Sequence, residues 1–178
     1  PRELTTSDAL ALHRDLGMLK AEGIDHIALE ASSQGLDQRR VDGLRFNAVA
    51  FTNLSRDHLD YHADMDAYRD AKLRLFRELI AEGGAAVVNA DDEEHMPFLF
   101  AALDTGATLL TVGAEGAFYE IKSVKNDGYG QRVVGRMVGE PADFRLPLTG
   151  AFQVSNALMA LAPAVSTGAP QDKALRAL

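Results

Sequence analysis

Three polar positions in this 178-residue chain stand where chemistry could be done: Glu30, His58 and Lys72. Glu30 closes a short apolar run, Ile24 to Leu29, and leads into Ala31-Ser32-Ser33-Gln34-Gly35. His58 falls in a polar stretch from Thr52 to His62 that follows a second apolar run, Asn47 to Phe51. Ligands of open α/β sheets gather at the carboxyl ends of strands, so both stretches are expected on one sheet edge. A carboxylate such as Glu30 binds a hard cation through oxygen, and the neutral imidazole of His58 can complete the shell. The alternative is plain: Glu30 caps the next segment and His58 caps a loop. Asp57, His58, Asp60 and His62 also admit an aspartate–histidine metal cluster, or equally a solvated loop entering a helix.

Lys72 belongs to a helix expected from Asp64 to about Glu82, with Met65, Tyr68, Leu75, Phe76, Leu79 and Ile80 as its apolar positions. It lies four residues after Tyr68 and three and four before Leu75 and Phe76, which puts it on the inward stripe. Either its stem is buried with the ammonium in water, or partial burial depresses its pKa. A neutral amine can add carbon dioxide to form a carbamate, an oxygen donor able to join a metal site with Glu30 and His58.

No Gly-x-x-x-x-Gly-Lys-Ser/Thr segment accompanies these residues: the lysines are Lys20, Lys72, Lys122, Lys125 and Lys173, and none falls in that pattern. Arg39-Arg40 could hold an anion bidentately, or form a surface pair beside Asp37 and Asp42. Asn156 stands near an expected helix start and could hydrogen-bond a base or ribose, or serve in a cap.

The elements that must position these groups read as alternating helix and strand. Thr5-Thr6-Ser7 with Asp8 opens a helix that Gly23 ends. The apolar runs Ile24–Leu29, Asn47–Phe51, Ala85–Asn89 and Thr108–Val112 alternate with helices, one of them capped by Asp91 or Asp92 and continuing through Leu103. Short apolar runs between helices imply buried parallel strands and an α/β layer fold. After Gly113 the pattern turns antiparallel: Phe118–Val124 and Arg132–Val138 flank the turn signal Asn126-Asp127-Gly128, and Phe144–Leu148 is a further strand. A helix from Gly150 to about Val165 follows, and another begins at Gln171.

Composition excludes several classes. Charged residues make up 25% and hydrophobic residues 47%, an ordinary globular balance. With no cysteine there is no disulfide framework, thiolate nucleophile or Cys-ligated zinc, and the chain suits a reducing compartment. A net charge of −8 without a Lys/Arg run argues against nucleic acid as partner. No apolar run reaches the ~18 residues of a membrane span, and the first residues lack the apolar core of a signal peptide.

The motifs arrive in a distinctive order. Thr5-Thr6 is followed by Glu30-x-Ser32-Ser33-Gln34-Gly35-Leu36-x-Gln38-x-Arg40, then by Phe51-Thr52-Asn53-Leu54-Ser55-Arg56-Asp57-His58-Leu59-Asp60-Tyr61-His62. Tyr68-x-x-Ala71-Lys72-x-x-Leu75-Phe76 and Val88-Asn89-Ala90-Asp91-Asp92 complete the series. The series resembles the Mur ligases of peptidoglycan synthesis, most closely the MurE type, from Thr5 to about Leu161. The resemblance implies an ATP-dependent acid–amino-acid ligase of the cytoplasm, monomeric, serving cell-wall biogenesis, cell shape and division. Its substrates are UDP-N-acetylmuramoyl-L-alanyl-D-glutamate and an amino acid, either meso-diaminopimelate or L-lysine. It implies that Thr5, Thr6, Ser32, Gln38 and Arg40 hold the muramoyl dipeptide, that Glu30, His58 and a carbamylated Lys72 serve catalysis and bind Mg2+, and that Asn156 lies on the ATP side. Gln153 stands where the family usually has Asn.

The implied fold is a mainly parallel sheet flanked by helices with a smaller antiparallel sheet. Residues 1–168 would be the central ATP-binding domain, truncated at its P-loop end, and residues 169–178 the start of a helix or linker toward a further domain. Such a fragment is expected to be inactive alone and to leave a strand edge or apolar face open. Rival readings are a folylpolyglutamate or cyanophycin synthetase, a phosphoesterase built on Asp57, His58, Asp60 and His62, and a non-catalytic module that binds nucleotide-sugar.

Overall fold

A computed structural model describes residues 6–55 and 61–178. The chain divides into two compact units, one of Pro1–Arg45 and Arg56–Leu79, the other of Phe46–Ser55 and Ile80–Leu178.

The first unit is helical among its described residues. Helix α1 (Ala9–Ala21) is capped by Asp8 itself, whose carboxylate accepts from the Ala11 amide at 3.0 Å, and Gly23 leaves it at φ 80°. Thr5, expected to open this helix, lies outside the described residues. Ile24 to Leu29 is not a strand: the chain is irregular from residue 24 to 32, and Ile24 and Ile27 are each 44% exposed. An apolar, β-branched run becomes a strand only when a neighbour completes its ladder, and none does so among the described residues. Ser32 then caps the short helix α2 (Ser33–Asp37) by accepting from the Gly35 amide at 3.1 Å. Asp64 caps helix α3 (Met65–Glu78) in the same way through the Ala67 amide at 2.8 Å. Helices α2 and α3 bury Leu36, Tyr68, Leu73 and Phe76.

Helix α3 ends at Glu78 rather than near Glu82, because strand β2 (Ile80–Asn89) claims the residues that follow. Gly83 and Gly84 lie within that strand, where the register with β1 (Phe46–Phe51) shifts between the Phe46↔Ile80 and Ala48↔Ala85 pairs. Gly83 has φ 72°, and a Cβ on Gly84 would lie 3.1 Å from the Asn47 carbonyl. The glycine pair therefore permits a bulge; it does not stop a helix.

The second unit holds a seven-stranded sheet. Strands β1, β2, β3 (Thr108–Gly113) and β4 (Tyr119–Asp127) are parallel neighbours in that order. Strand β5 (Gly130–Met137) is antiparallel to β4, and β6 (Glu140–Pro141) and β7 (Phe144–Leu146) are both antiparallel to β5. Gly128 at φ 63° and Tyr129 form the β4–β5 turn, with Asp127 opposite Gly130. Ala86, Val87 and Val88 of β2 are fully buried, as a central parallel strand requires.

Helix α4 (His95–Asp104) places Phe98 in a stack on Phe51, with ring centroids 3.8 Å apart. It starts later than the sequence suggests: Asp92 makes a turn before it, accepting from the Glu94 amide at 3.0 Å, while Asp91 accepts from the Ala114 amide at 2.8 Å. Helix α5 (Ala151–Ser166) buries Val154, Leu158, Leu161 and Ala162. After residue 168 the chain forms α6 (Gln171–Arg176), whose Ala174 and Leu175 pack on the same core cluster. No helix among the described residues is long and apolar enough to cross a membrane.

Candidate active site

The irregular segment around Glu30 is held by side chains. The Thr6 hydroxyl donates to the Glu30 carbonyl at 3.1 Å, accepts from the Ser32 amide at 2.9 Å, and lies 3.0 Å from the Ser32 hydroxyl. The Arg40 guanidinium donates to the Thr6 carbonyl at 2.8 Å and to the Gln38 side-chain oxygen at 3.0 Å. Gln38 donates in turn to the Tyr61 hydroxyl at 3.1 Å, and Tyr61 to Asp37 at 2.6 Å. Thr6, Ser32, Gln38 and Arg40, dispersed over 34 positions of sequence, thus form one hydrogen-bonded chain. Tyr61 was not singled out by sequence, since an aromatic beside a polar loop carries no signal of its partners.

Lys72 stands on α3 in the same unit. Burial is the main influence on its amine and pushes its pKa below the ordinary 10.5; the charge of Glu30 acts in the opposite direction. Among the described residues Glu30 is the carboxylate whose charge reaches Lys72. The ammonium also lies over the Tyr68 ring, 5.3 Å from its centroid. Lys72 is thus a half-buried amine packed over an aromatic ring.

His62 is buried, with Nε2 2.9 Å from the Ser33 hydroxyl and its ring 5.3 Å from that of Tyr68. Asp57, His58 and Asp60 lie outside the described residues, and among the described ones no group of three or more His, Asp or Glu gathers as a metal site. Arg74, also on α3, braces the unit. It donates to the Leu36 carbonyl, to Asp42 at 2.9 Å and to Glu78 at 2.8 Å, and holds both carboxyls below their ordinary pKa.

In the second unit the end of β1 is tied down. Asn89 donates to the Thr52 carbonyl at 2.8 Å, and Asp92 accepts from the Leu54 amide at 3.3 Å. These two bonds fix the segment that continues toward His58. A polar Asn-Ala-Asp-Asp at a strand end signals such a loop brace, but sequence cannot say which loop it grips. Asn156 is exposed on the second turn of α5, beyond any capping position, since Gly150 is the N-cap. The buried Gln131 donates to the Leu148 and Gly150 carbonyls, both at 3.0 Å, and so shapes the entry to α5.

The profile of the Mur ligase middle domain matches residues 1–164. The chain belongs to the Mur ligase family. Two curated Mur ligases illustrate the likeness, both named UDP-N-acetylmuramoyl-L-alanyl-D-glutamate--2,6-diaminopimelate ligase. One, from Brucella melitensis biotype 1, is 49% identical over 175 residues, covering 98% of this chain and 36% of the relative. The other, from Chelativorans sp. (strain BNC1), is 48% identical over 176 residues, 99% of this chain and 36% of the relative. A solved structure of a ligase of the same name superposes with a TM-score of 0.87 at 30% identity, covering 96% of this chain and 35% of that one. The chain thus spans about a third of the length of these Mur ligases, and its sheet is that of their middle domain.

Proposed function

We propose that the intact enzyme carrying this Mur ligase middle domain is an ATP-dependent amide ligase. It joins 2,6-diaminopimelate to the D-glutamyl carboxylate of UDP-N-acetylmuramoyl-L-alanyl-D-glutamate in peptidoglycan synthesis. The observation that carries this reading is Lys72, half-buried on α3 over the Tyr68 ring in the unit that also holds Glu30, inside a domain of this family. The choice of amino acid follows the names of the relatives.

In the proposed reaction the substrate carboxylate attacks the γ-phosphorus of ATP, ADP leaves, and an acyl phosphate results. The amine of the amino acid then attacks the acyl carbon, losing a proton as inorganic phosphate departs. Transfer of this kind needs positioning and charge neutralisation more than covalent help. The donor set suits magnesium: Glu30 offers carboxylate oxygens, and a half-buried amine is the kind that adds carbon dioxide, releasing one proton and becoming an oxygen donor. Magnesium bound there by Glu30, His58 and carbamylated Lys72 would neutralise charge on the transferring phosphoryl group. Ser32, Gln38 and Arg40, with Thr5, orient the dipeptide. Asn156, exposed on α5, meets the nucleotide. ATP and a UDP-linked precursor are cytoplasmic substrates, and the cytoplasm is the proposed location.

The test is phosphate release by the intact enzyme given ATP, magnesium and the UDP-muramoyl dipeptide, with 2,6-diaminopimelate or lysine as acceptor. Release that needs both dipeptide and diaminopimelate supports the reading. Release with lysine alone reassigns the acceptor, and release without dipeptide refutes the assignment.

A further inference from the structure

Four side chains of the first unit form a hydrogen-bonded row with a single direction. The Arg40 guanidinium donates to the Gln38 side-chain oxygen at 3.0 Å, the Gln38 amide donates to the Tyr61 hydroxyl at 3.1 Å, and that hydroxyl donates to the Asp37 carboxylate at 2.6 Å. A phenol has one proton to give, a carboxylate only accepts, and a guanidinium only donates. With its proton committed to Asp37, the Tyr61 oxygen can only receive, so Gln38 offers it the NH2 and turns its carbonyl oxygen to Arg40. The reverse amide orientation would set NH2 against guanidinium, donor against donor. Bonds aligned head to tail between a cation and a carboxylate polarise and strengthen one another. The row also keeps its two end charges apart. Arg40 gives its protons to two neutral oxygens, those of Gln38 and of the Thr6 carbonyl. Neither Arg40 nor Asp37 makes an ion pair among the described residues. The Arg40 charge is left for an outside anion, and a planar guanidinium held at a fixed angle suits a carboxylate or phosphate.

We infer that Tyr61 is a positioning residue for the dipeptide site: through Gln38 its hydroxyl fixes the direction of the Arg40 guanidinium, and Asp37 sets that direction by taking the phenolic proton. The inference rests on the proposed reading of Gln38 and Arg40 as groups that hold the dipeptide, and it involves no metal. Tyr61 is 38% exposed and its ring meets that of His62 edge-on, with centroids 4.8 Å apart. Tyr61→Phe therefore keeps the ring packing and removes only the hydroxyl.

The experiment follows binding of UDP-N-acetylmuramoyl-L-alanyl-D-glutamate to the intact enzyme by calorimetry, with magnesium and a non-hydrolysable ATP analogue present. It compares wild type, Tyr61→Phe, Gln38→Ala and the double variant. Tyr61→Phe is expected to weaken binding about five- to tenfold, the worth of one hydrogen bond. Gln38→Ala should weaken it at least as much, and adding Tyr61→Phe to Gln38→Ala should change nothing further, because Tyr61 acts through Gln38. In phosphate release, Tyr61→Phe should raise KM for the dipeptide and leave kcat near wild type. A loss from Tyr61→Phe that persists in the Gln38→Ala background would make Tyr61 a direct substrate contact and overturn the inference. Wild-type dipeptide affinity in Tyr61→Phe, alongside a loss in Gln38→Ala, overturns the positioning role while leaving the reading of Gln38 intact. Wild-type affinity in Gln38→Ala removes that reading, and the inference with it. Asp37→Ala frees the phenolic proton without touching the ring and is expected to weaken binding as Tyr61→Phe does; if Tyr61→Phe does not fold, Asp37→Ala carries the same comparison.

Discussion

The ammonium of Lys72 lies 5.3 Å from the centroid of the Tyr68 ring, one helical turn back along α3. Burial dominates the environment of that amine and holds its folded-state pKa below the ordinary 10.5. The charged amine therefore costs stability below its folded pKa. That cost fades as pH rises through the folded pKa toward 10.5, where the unfolded chain also gives up its proton. Lys72→Met is predicted to raise the thermal midpoint near pH 7, with the gain shrinking toward pH 10, in buffers free of metal and carbon dioxide. A gain that grows with pH would contradict the account.

Arg74 joins α3 to the Leu36 carbonyl and to Asp42, and its side chain is 14% exposed. Arg74→Met removes one donor each from the Leu36 carbonyl, Asp42 and Glu78, of which Asp42 and the Leu36 carbonyl keep Arg39, and is predicted to cost about 1–3 kcal/mol in urea unfolding at pH 7. Arg74 depresses the pKa values of Asp42 and Glu78 from the ordinary 3.8 and 4.5. Their contribution is present above those ordinary values and lost as pH falls through the depressed ones. The gap between variant and wild type should therefore narrow in acid.

Phe98 is fully buried in its stack on Phe51. Phe98→Ala is predicted to cost about 3–5 kcal/mol in denaturant unfolding, and Phe98→Leu less, because the smaller residue leaves a cavity between α4 and β1.

Asn89 holds the Thr52 carbonyl and, through its own oxygen, the Asp91 amide at 3.2 Å. Asn89→Ala is predicted to cost about 1–3 kcal/mol. In the intact enzyme it should also lower turnover more than dipeptide affinity, because the released segment runs on to His58. Parallel calorimetry and phosphate release check this. Equal losses in both would place the effect elsewhere.

Sequence made the helices and the strand directions legible where local signals agreed: Asp64 capping α3, glycine turning β4 into β5, and an unbroken apolar run in the central strand. It misread Ile24–Leu29, because ladder partners are not local. It misread Gly83-Gly84 because the same glycines that end a helix also permit a bulge. At the site, Glu30 and Lys72 stood out by residue type and helical phase. The roles of Thr6, Tyr61 and Asn89 did not, since each depends on hydrogen bonds to residues 23 to 37 positions away. Asp92 likewise shows its purpose only through a bond to Leu54, 38 positions away.

The most direct measurement compares Glu30→Gln and Lys72→Arg with wild type in the intact enzyme, reading phosphate release with the UDP-muramoyl dipeptide, ATP and 2,6-diaminopimelate. The account predicts that each substitution lowers turnover at least about 100-fold, while dipeptide affinity by calorimetry stays near wild type. Turnover close to wild type in either variant would contradict it.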